Sequence, residues 1–156
     1  MRSPPLSDPA TLLATVGAAG LLPWAPGTWG SLVGVAFAWI VTGAWNTPAL
    51  VAACAILFLG GWWASERLAR RSGIADPGFV VIDEVVGQAL VLAIAPRTVW
   101  AYAAGFLLFR FFDILKPWPV HALERKFRNG FGIMIDDVAA ASEAALVLYV
   151  GLKITG

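Results

Sequence analysis

The chain has 156 residues, room for one domain, and is 59% hydrophobic but only 13% charged. Its mean hydropathy is +0.75, far from the soluble average and pointing to an integral membrane protein. A formal net charge of +1, with no basic tract carrying interleaved aromatics, excludes a general nucleic-acid binder, and the lone Cys54 excludes an internal disulfide or a cysteine zinc cluster.

In chain order, the polar, proline-bearing stretch Met1–Asp8 predicts a frayed end. It lacks the compact apolar core and small-residue cleavage site of a signal peptide. From Pro9 to Ser65 there is no Asp, Glu, Lys or Arg, a length that holds two membrane helices of roughly 17–25 residues each. Pro23, Pro26, Gly27 and Gly30 mark a loop and Asn46-Thr47-Pro48 a turn. Leu32–Trp45 and Ala49–Ala64 remain as a helical hairpin with arms short for a full span. Glu66-Arg67-Leu68-Ala69-Arg70-Arg71 ends the hairpin, and a polar loop through Asp76-Pro77-Gly78 follows. Further helices are expected over Val85–Ala95, Thr98–Phe109 and Val138–Leu152, with a Pro96-Arg97 turn. No repeat or linker divides the chain. The prediction is one all-α domain over residues 1–156, a small helical membrane protein with short transmembrane or partly inserted helices.

The stretch Arg110–Asp137 concentrates charge in this apolar chain. Arg110, Asp113 and Lys116, three apart, project from one face of a helical turn. A Lys-Pro-Trp-Pro corner (116–119) follows, stiffened by its prolines. A glycine-bearing turn, Asn129–Gly132, leads to Asp136-Asp137. A second pair, Asp83-Glu84, also opens an apolar run. Helix capping accounts for one acid per helix; paired acids bracketed by cations suggest a metal ion and an anion bound together. Neighbours on a helix point about 100° apart, so one acid of each pair plus Asp113 is the expected oxygen set for Mg²⁺. Glu143, seven residues after Asp136, shares its face and is a candidate support. Arg110 offers a fork and Lys116 a point charge to phosphate. The loop Pro26-Gly27-Thr28-Trp29-Gly30-Ser31 is either a phosphate cradle or an N-cap and turn; without the Walker lysine it is not a P-loop. His121, the one histidine, reads as a hydrogen-bonding or surface residue.

With the turns at Asn46–Pro48 and Pro96-Arg97 on one side, Arg2, Arg67, Arg70, Arg71, Arg110, Lys116, Arg125, Lys126 and Arg128 fall on the other. Arg97 and Lys153 stay opposite. The rich side is then cytoplasmic, and the loop at Pro26–Ser31, Asp83-Glu84, Asp113 and Asp136-Asp137 all arrive there.

Cys54 lacks the downstream arginine of a cysteine phosphatase, there is no Asp-x-Asp pair of the haloacid-dehalogenase kind, and one histidine cannot serve a two-histidine lipid phosphatase. What the chain resembles, over nearly its whole length, is the phosphatidylglycerophosphatase A family. The resemblance lies in PGTWGS (Pro26–Ser31), IDEVVGQ (Ile82–Gln88), FRFFDILKPWP (Phe109–Pro119) and GFGIMIDD (Gly130–Asp137). It departs at Asn129, where relatives often have glycine, at Ala140-Ala141, where Ala-Gly is common, and at His121, arginine in some relatives. None of these is an acid of the pairs. The resemblance implies Mg²⁺-dependent hydrolysis of phosphatidylglycerophosphate to phosphatidylglycerol at the inner membrane, by a multi-pass protein with a cytoplasmic site. It implies catalytic roles for Asp83, Glu84, Asp113, Asp136 and Asp137, metal ligation by Asp83, Glu84, Asp113 and Asp136, and phosphate binding by Thr28, Ser31, Arg110 and Lys116. The expected partners are the phospholipid substrate and the membrane, not nucleic acid. The alternative from another class is a transporter or ion-pathway subunit with an acid-lined mouth.

Overall fold

A computed structural model describes residues 5–118 and 120–155, with the backbone alone at 123–125. Arg2, Pro119 of the expected corner and the Arg125 side chain lie outside the described residues. Seven α-helices occur among the described residues: α1 (Pro9–Ala14), α2 (Pro26–Ala44), α3 (Thr47–Ser72), α4 (Ile82–Leu92), α5 (Val99–Leu115), α6 (Val120–Lys126) and α7 (Gly130–Thr155). A 3₁₀ turn at Ala19–Leu21 joins α1 to α2, and no strand occurs among the described residues. The expected all-α membrane fold is observed.

Local chemistry sets the helix starts. Asp8, Asn46, Thr98 and Asn129 each accept a bond from a backbone N–H in the first turn of α1, α3, α5 and α7, as good N-caps do. Asp8 also pairs with Arg67 at 3.7 Å and with Arg71, so the expected frayed end stops short of Asp8; Met1–Pro4 lie outside the described residues. α3 stops at Gly73, whose φ of +71° is open to glycine.

α4 is the axis of the molecule. It is buried nearly all round, as a helix apolar on every side should be, and packs against α2, α3, α5 and α7. Glycines bring α2 against it: a Cβ on Gly30 would stand 2.8 Å from the Val81 carbonyl, and one on Gly34 2.8 Å from that of Val85. α2, with 19 residues, and α3, with 26, are long and apolar enough to cross a membrane. Ile40, Ile56, Leu59, Leu107 and Leu146 turn outward, which suits lipid rather than water. α4 has 11 residues, so at about 1.5 Å per residue it cannot cross the roughly 30 Å core of a bilayer alone.

Several expected boundaries move. α4 covers Ile82–Leu92 in place of Val85–Ala95, and α5 runs on past Phe109 to Leu115, so Arg110 and Asp113 are helical. Pro26–Ser31 is not a loop but the opening of α2, with Pro26 in its first turn. The charges Glu66–Arg71 do not end the hairpin but form the last turns of α3. α7 begins at Gly130, so Asp136 and Asp137 sit in its second turn and not before its first.

Candidate active site

The N-terminal ends of α2, α4 and α7 and the C-terminal end of α5 meet around a cleft of about 290 Å³. It is lined by Gly27 from α2, Asp83 and Glu84 from α4, Arg110 and Asp113 from α5, Lys116 just beyond it, and Asp136 and Asp137 from α7. Distant segments of sequence thus converge.

Asp83, Glu84 and Asp137 form the tightest carboxylate group, with one oxygen of each within 4.8 Å of the others. Asp83 Oδ1, Glu84 Oε2 and Asp137 Oδ2 are buried without a hydrogen-bond partner. Burial first, then the charges of Glu84 and Asp137, pushes the Asp83 carboxyl well above its usual range. Burial likewise raises Glu84, against the hydrogen bond it shares with Asp83. Such crowding is costly unless a cation joins it.

Both members of the first pair therefore face one centre, against the expectation from helical phase. The longer Glu84 side chain reaches round α4 to lie over Gly27, where a Cβ would stand 2.2 Å from its Oε1. In the second pair the two acids part: Asp137 joins the trio, while Asp136 Oδ2 lies 3.7 Å from Lys116 Nζ. Of the expected ligands Asp83, Glu84, Asp113 and Asp136, the trio keeps Asp83 and Glu84, holds Asp137 in place of Asp136, and leaves out Asp113, which pairs with Arg110.

Arg110 faces these acids. Its Nη1 donates to Ser31 Oγ at 3.3 Å and to Asp113, while its Nε is buried with no partner. Ser31 in turn donates to the Gly27 carbonyl at 3.0 Å. Two residues lining the cleft hold left-handed backbone without being glycine, Ala25 at φ +46° and Lys116 at φ +43°. That conformation costs on the order of 1–3 kcal/mol and persists where the surroundings enforce it. At Lys116 it turns the chain out of α5 so that the ammonium returns over the cleft.

Thr28, half-buried on α2, is not among the residues lining the cleft. Glu143 lies two turns further along α7, also outside it. His121 lines a neighbouring cleft with Arg128 and Asn129. Three residues beyond those expected bear on the site. Gly27 leaves room for Glu84, and Asp76 lines the cleft. Glu66 Oε2 accepts from the Gly130 N–H at 2.8 Å, fixing the start of α7 from α3. Asp76 was visible as an acid seven residues before Asp83; nothing in sequence joins Glu66 to Gly130.

Fold and cleft define a small helical membrane enzyme whose clustered carboxylates oppose an arginine and a lysine. The sequence profile of the Phosphatidylglycerophosphatase A family matches residues 12–152. Phosphatidylglycerophosphatase A of Haemophilus influenzae is 43% identical over 145 residues, covering 92% of this chain and 89% of its own length. That of Escherichia coli is 38% identical over 146 residues, covering 92% and 84%. A Bacteroides thetaiotaomicron protein, provisionally named a phosphatidylinositol-3-phosphatase, is 37% identical over 157 residues, covering 93% and 94%. No solved structure matches. The chain belongs to the phosphatidylglycerophosphatase A family and is a phosphatase, which decides against a transport subunit.

Proposed function

We propose that this phosphatase removes the terminal phosphate of phosphatidylglycerophosphate, releasing phosphatidylglycerol and inorganic phosphate, with Mg²⁺ as its cofactor. One observation carries the reading: three carboxylates, each with a buried oxygen that lacks a partner, stand within 4.8 Å of one another, in the cleft that Arg110 and Lys116 also line. An all-oxygen set of this kind suits a small hard cation, and Asp83, Glu84 and Asp137 would hold it. When bound, Mg²⁺ supplies Lewis-acid polarisation of a phosphoryl oxygen.

The chain's own residues do the rest. Arg110 would meet the phosphoryl oxygens with its guanidinium, whose fork is aimed by Ser31 and Asp113. Lys116 adds a point charge, held back from free solution by Asp136. Charge building on the equatorial oxygens is met by donors already in place, which is where such sites gain most of their rate.

The cleft end carries Arg67, Arg70, Arg71, Lys116, Lys126 and Arg128. Arg97 lies at the opposite end against Trp39, its Nε donating to the Trp39 carbonyl at 3.2 Å. By the positive-inside rule this orients the cleft to the cytoplasm, in a multi-pass arrangement at the inner membrane. The test is phosphate release by purified protein from phosphatidylglycerophosphate and from phosphatidylinositol 3-phosphate. Mg²⁺-dependent release from the first, with little from the second, is expected; the reverse preference would refute the substrate assignment.

A further inference from the structure

A lipid substrate has acyl chains as well as a phosphate, and the cleft is lined chiefly by the charged groups that would meet the phosphate. Helical periodicity points to where they go. On α2 the stripe Thr28, Leu32, Val35, Ala36, Trp39 recurs every three or four residues, and on α5 the stripe Tyr102, Ala103, Phe106, Arg110 does the same. Between them runs an outward-facing groove of about 560 Å³, lined along its length by these apolar residues. Ala36 and Ala103, both exposed, make it concave between the taller Leu32, Trp39 and Phe106.

The head of the groove lies one helical turn from the cleft. Arg110 follows Phe106 by one turn and Ser31 precedes Val35 by one turn, and the two are joined by the 3.3 Å bond from Nη1 to Oγ. Thr28, which the catalytic cleft does not use, stands one turn above Leu32. Towards its foot, where Ile40 and Val99 also line it, the groove is flanked by polar and aromatic groups. Trp39 meets Tyr102 edge-on at 5.1 Å, the Tyr102 hydroxyl lies 3.1 Å from Thr42 Oγ1, and Arg97 covers the Trp39 ring at 4.2 Å. Leu32 to Trp39 rises about 10 Å. Walls this apolar offer no partner to a peptide backbone or to water, whereas a hydrocarbon chain needs none.

We infer that this groove is the track of one acyl chain of the substrate, which hangs from the phosphate-binding arginine along α2 and α5. The inference rests on the lipid-phosphatase reading and adds the place where chain length is sensed.

Two measurements test it. In detergent, Ala36→Phe and Ala103→Phe should each raise the KM for long-chain phosphatidylglycerophosphate roughly tenfold, the scale of overfilling a fitted site. The dibutanoyl analogue, with the same headgroup, should keep its KM and kcat. Equal losses on both lipids, or none on either, would overturn the track. The second measurement needs no turnover. A bimane on Ala36→Cys in nanodiscs, with native Cys54 buried, is challenged with a non-hydrolysable phosphonate lipid carrying a nitroxide on one chain. Stronger quenching than by nitroxide phosphatidylcholine at equal content is expected. Equal quenching would mean ordinary bilayer contact, and quenching by neither would mean a second copy covers the groove; either result overturns the track even if phosphate release proves to need another lipid.

Discussion

Two adjacent aspartates, Asp136 and Asp137, show how much a single residue step decides here. Side by side in sequence, they face different partners: one meets Lys116, the other the carboxylates of α4. Sequence spacing could place both at the site but could not tell which joins the trio, because that depends on where α7 starts. Without a cation, three crowded acids repel and weaken the fold. Asp83→Asn or Asp137→Asn should therefore raise the melting temperature in EDTA by a few degrees, and should abolish the further rise that Mg²⁺ gives the wild type. Asp136→Asn should keep that Mg²⁺-induced rise; a thermal-shift assay in which all three variants behave alike would remove the distinction. Gly27 makes the complementary case. A methyl there meets Glu84 and Arg110, so Gly27→Ala should lose activity by about tenfold or more while circular dichroism stays unchanged. Full activity in that variant would mean Glu84 is free to move away.

Among the elements, α7 was the least legible and matters most to the site. Asn129-Gly130-Phe131-Gly132 reads as a turn because glycine is a poor helix former. In the structure these glycines are helical and are there for contact: a Cβ on Gly130 would stand 2.3 Å from the Glu66 N atom. Packing overrides propensity at that point, and the acids shift from a helix start to its second turn. The same blindness hid Glu66, since a charge at the end of an apolar run looks like a stop signal. By contrast the turn at Asn46–Pro48 between the hairpin arms and the position of Asp83-Glu84 at the opening of α4 followed from punctuation and periodicity alone. Glu66→Ala removes the bond to Gly130 and should cost about 1 kcal/mol, the scale of a lost cap. It should lower kcat several-fold with little change in KM, because α7 carries two of the acids. Glu66→Gln keeps an acceptor oxygen and should recover most of the rate. Equal loss in Ala and Gln would point to the ion pair with Arg70 instead.

At the scale of the whole molecule, a buried central helix is wrapped by longer ones whose outer faces are apolar, and the polar groups gather at one end. Composition made the membrane class legible, and four separated motifs made the family legible. The short reach of α4 was legible in the expected Val85–Ala95, but its central place was not, since length alone does not say which helix lies at the centre. Cysteines at Ala75 and Lys126, both exposed at the cleft end, should react only with reagent on the cytoplasmic side, and one at Thr47 only from the other side. Labelling of Ala75→Cys and Thr47→Cys from the same side would break the proposed topology. The central claim, that carboxylates from α4 and α7 act as one cation-dependent unit on a lipid phosphomonoester, is tested most directly by phosphate release from phosphatidylglycerophosphate while Mg²⁺ is titrated into EDTA-treated enzyme. Wild-type activity should vanish in EDTA and return with Mg²⁺. Asp83→Asn and Asp137→Asn should each lose about 10² or more, and the double variant little beyond either, because groups acting as a unit are non-additive. A full rate in EDTA, or losses that multiply independently, would contradict it.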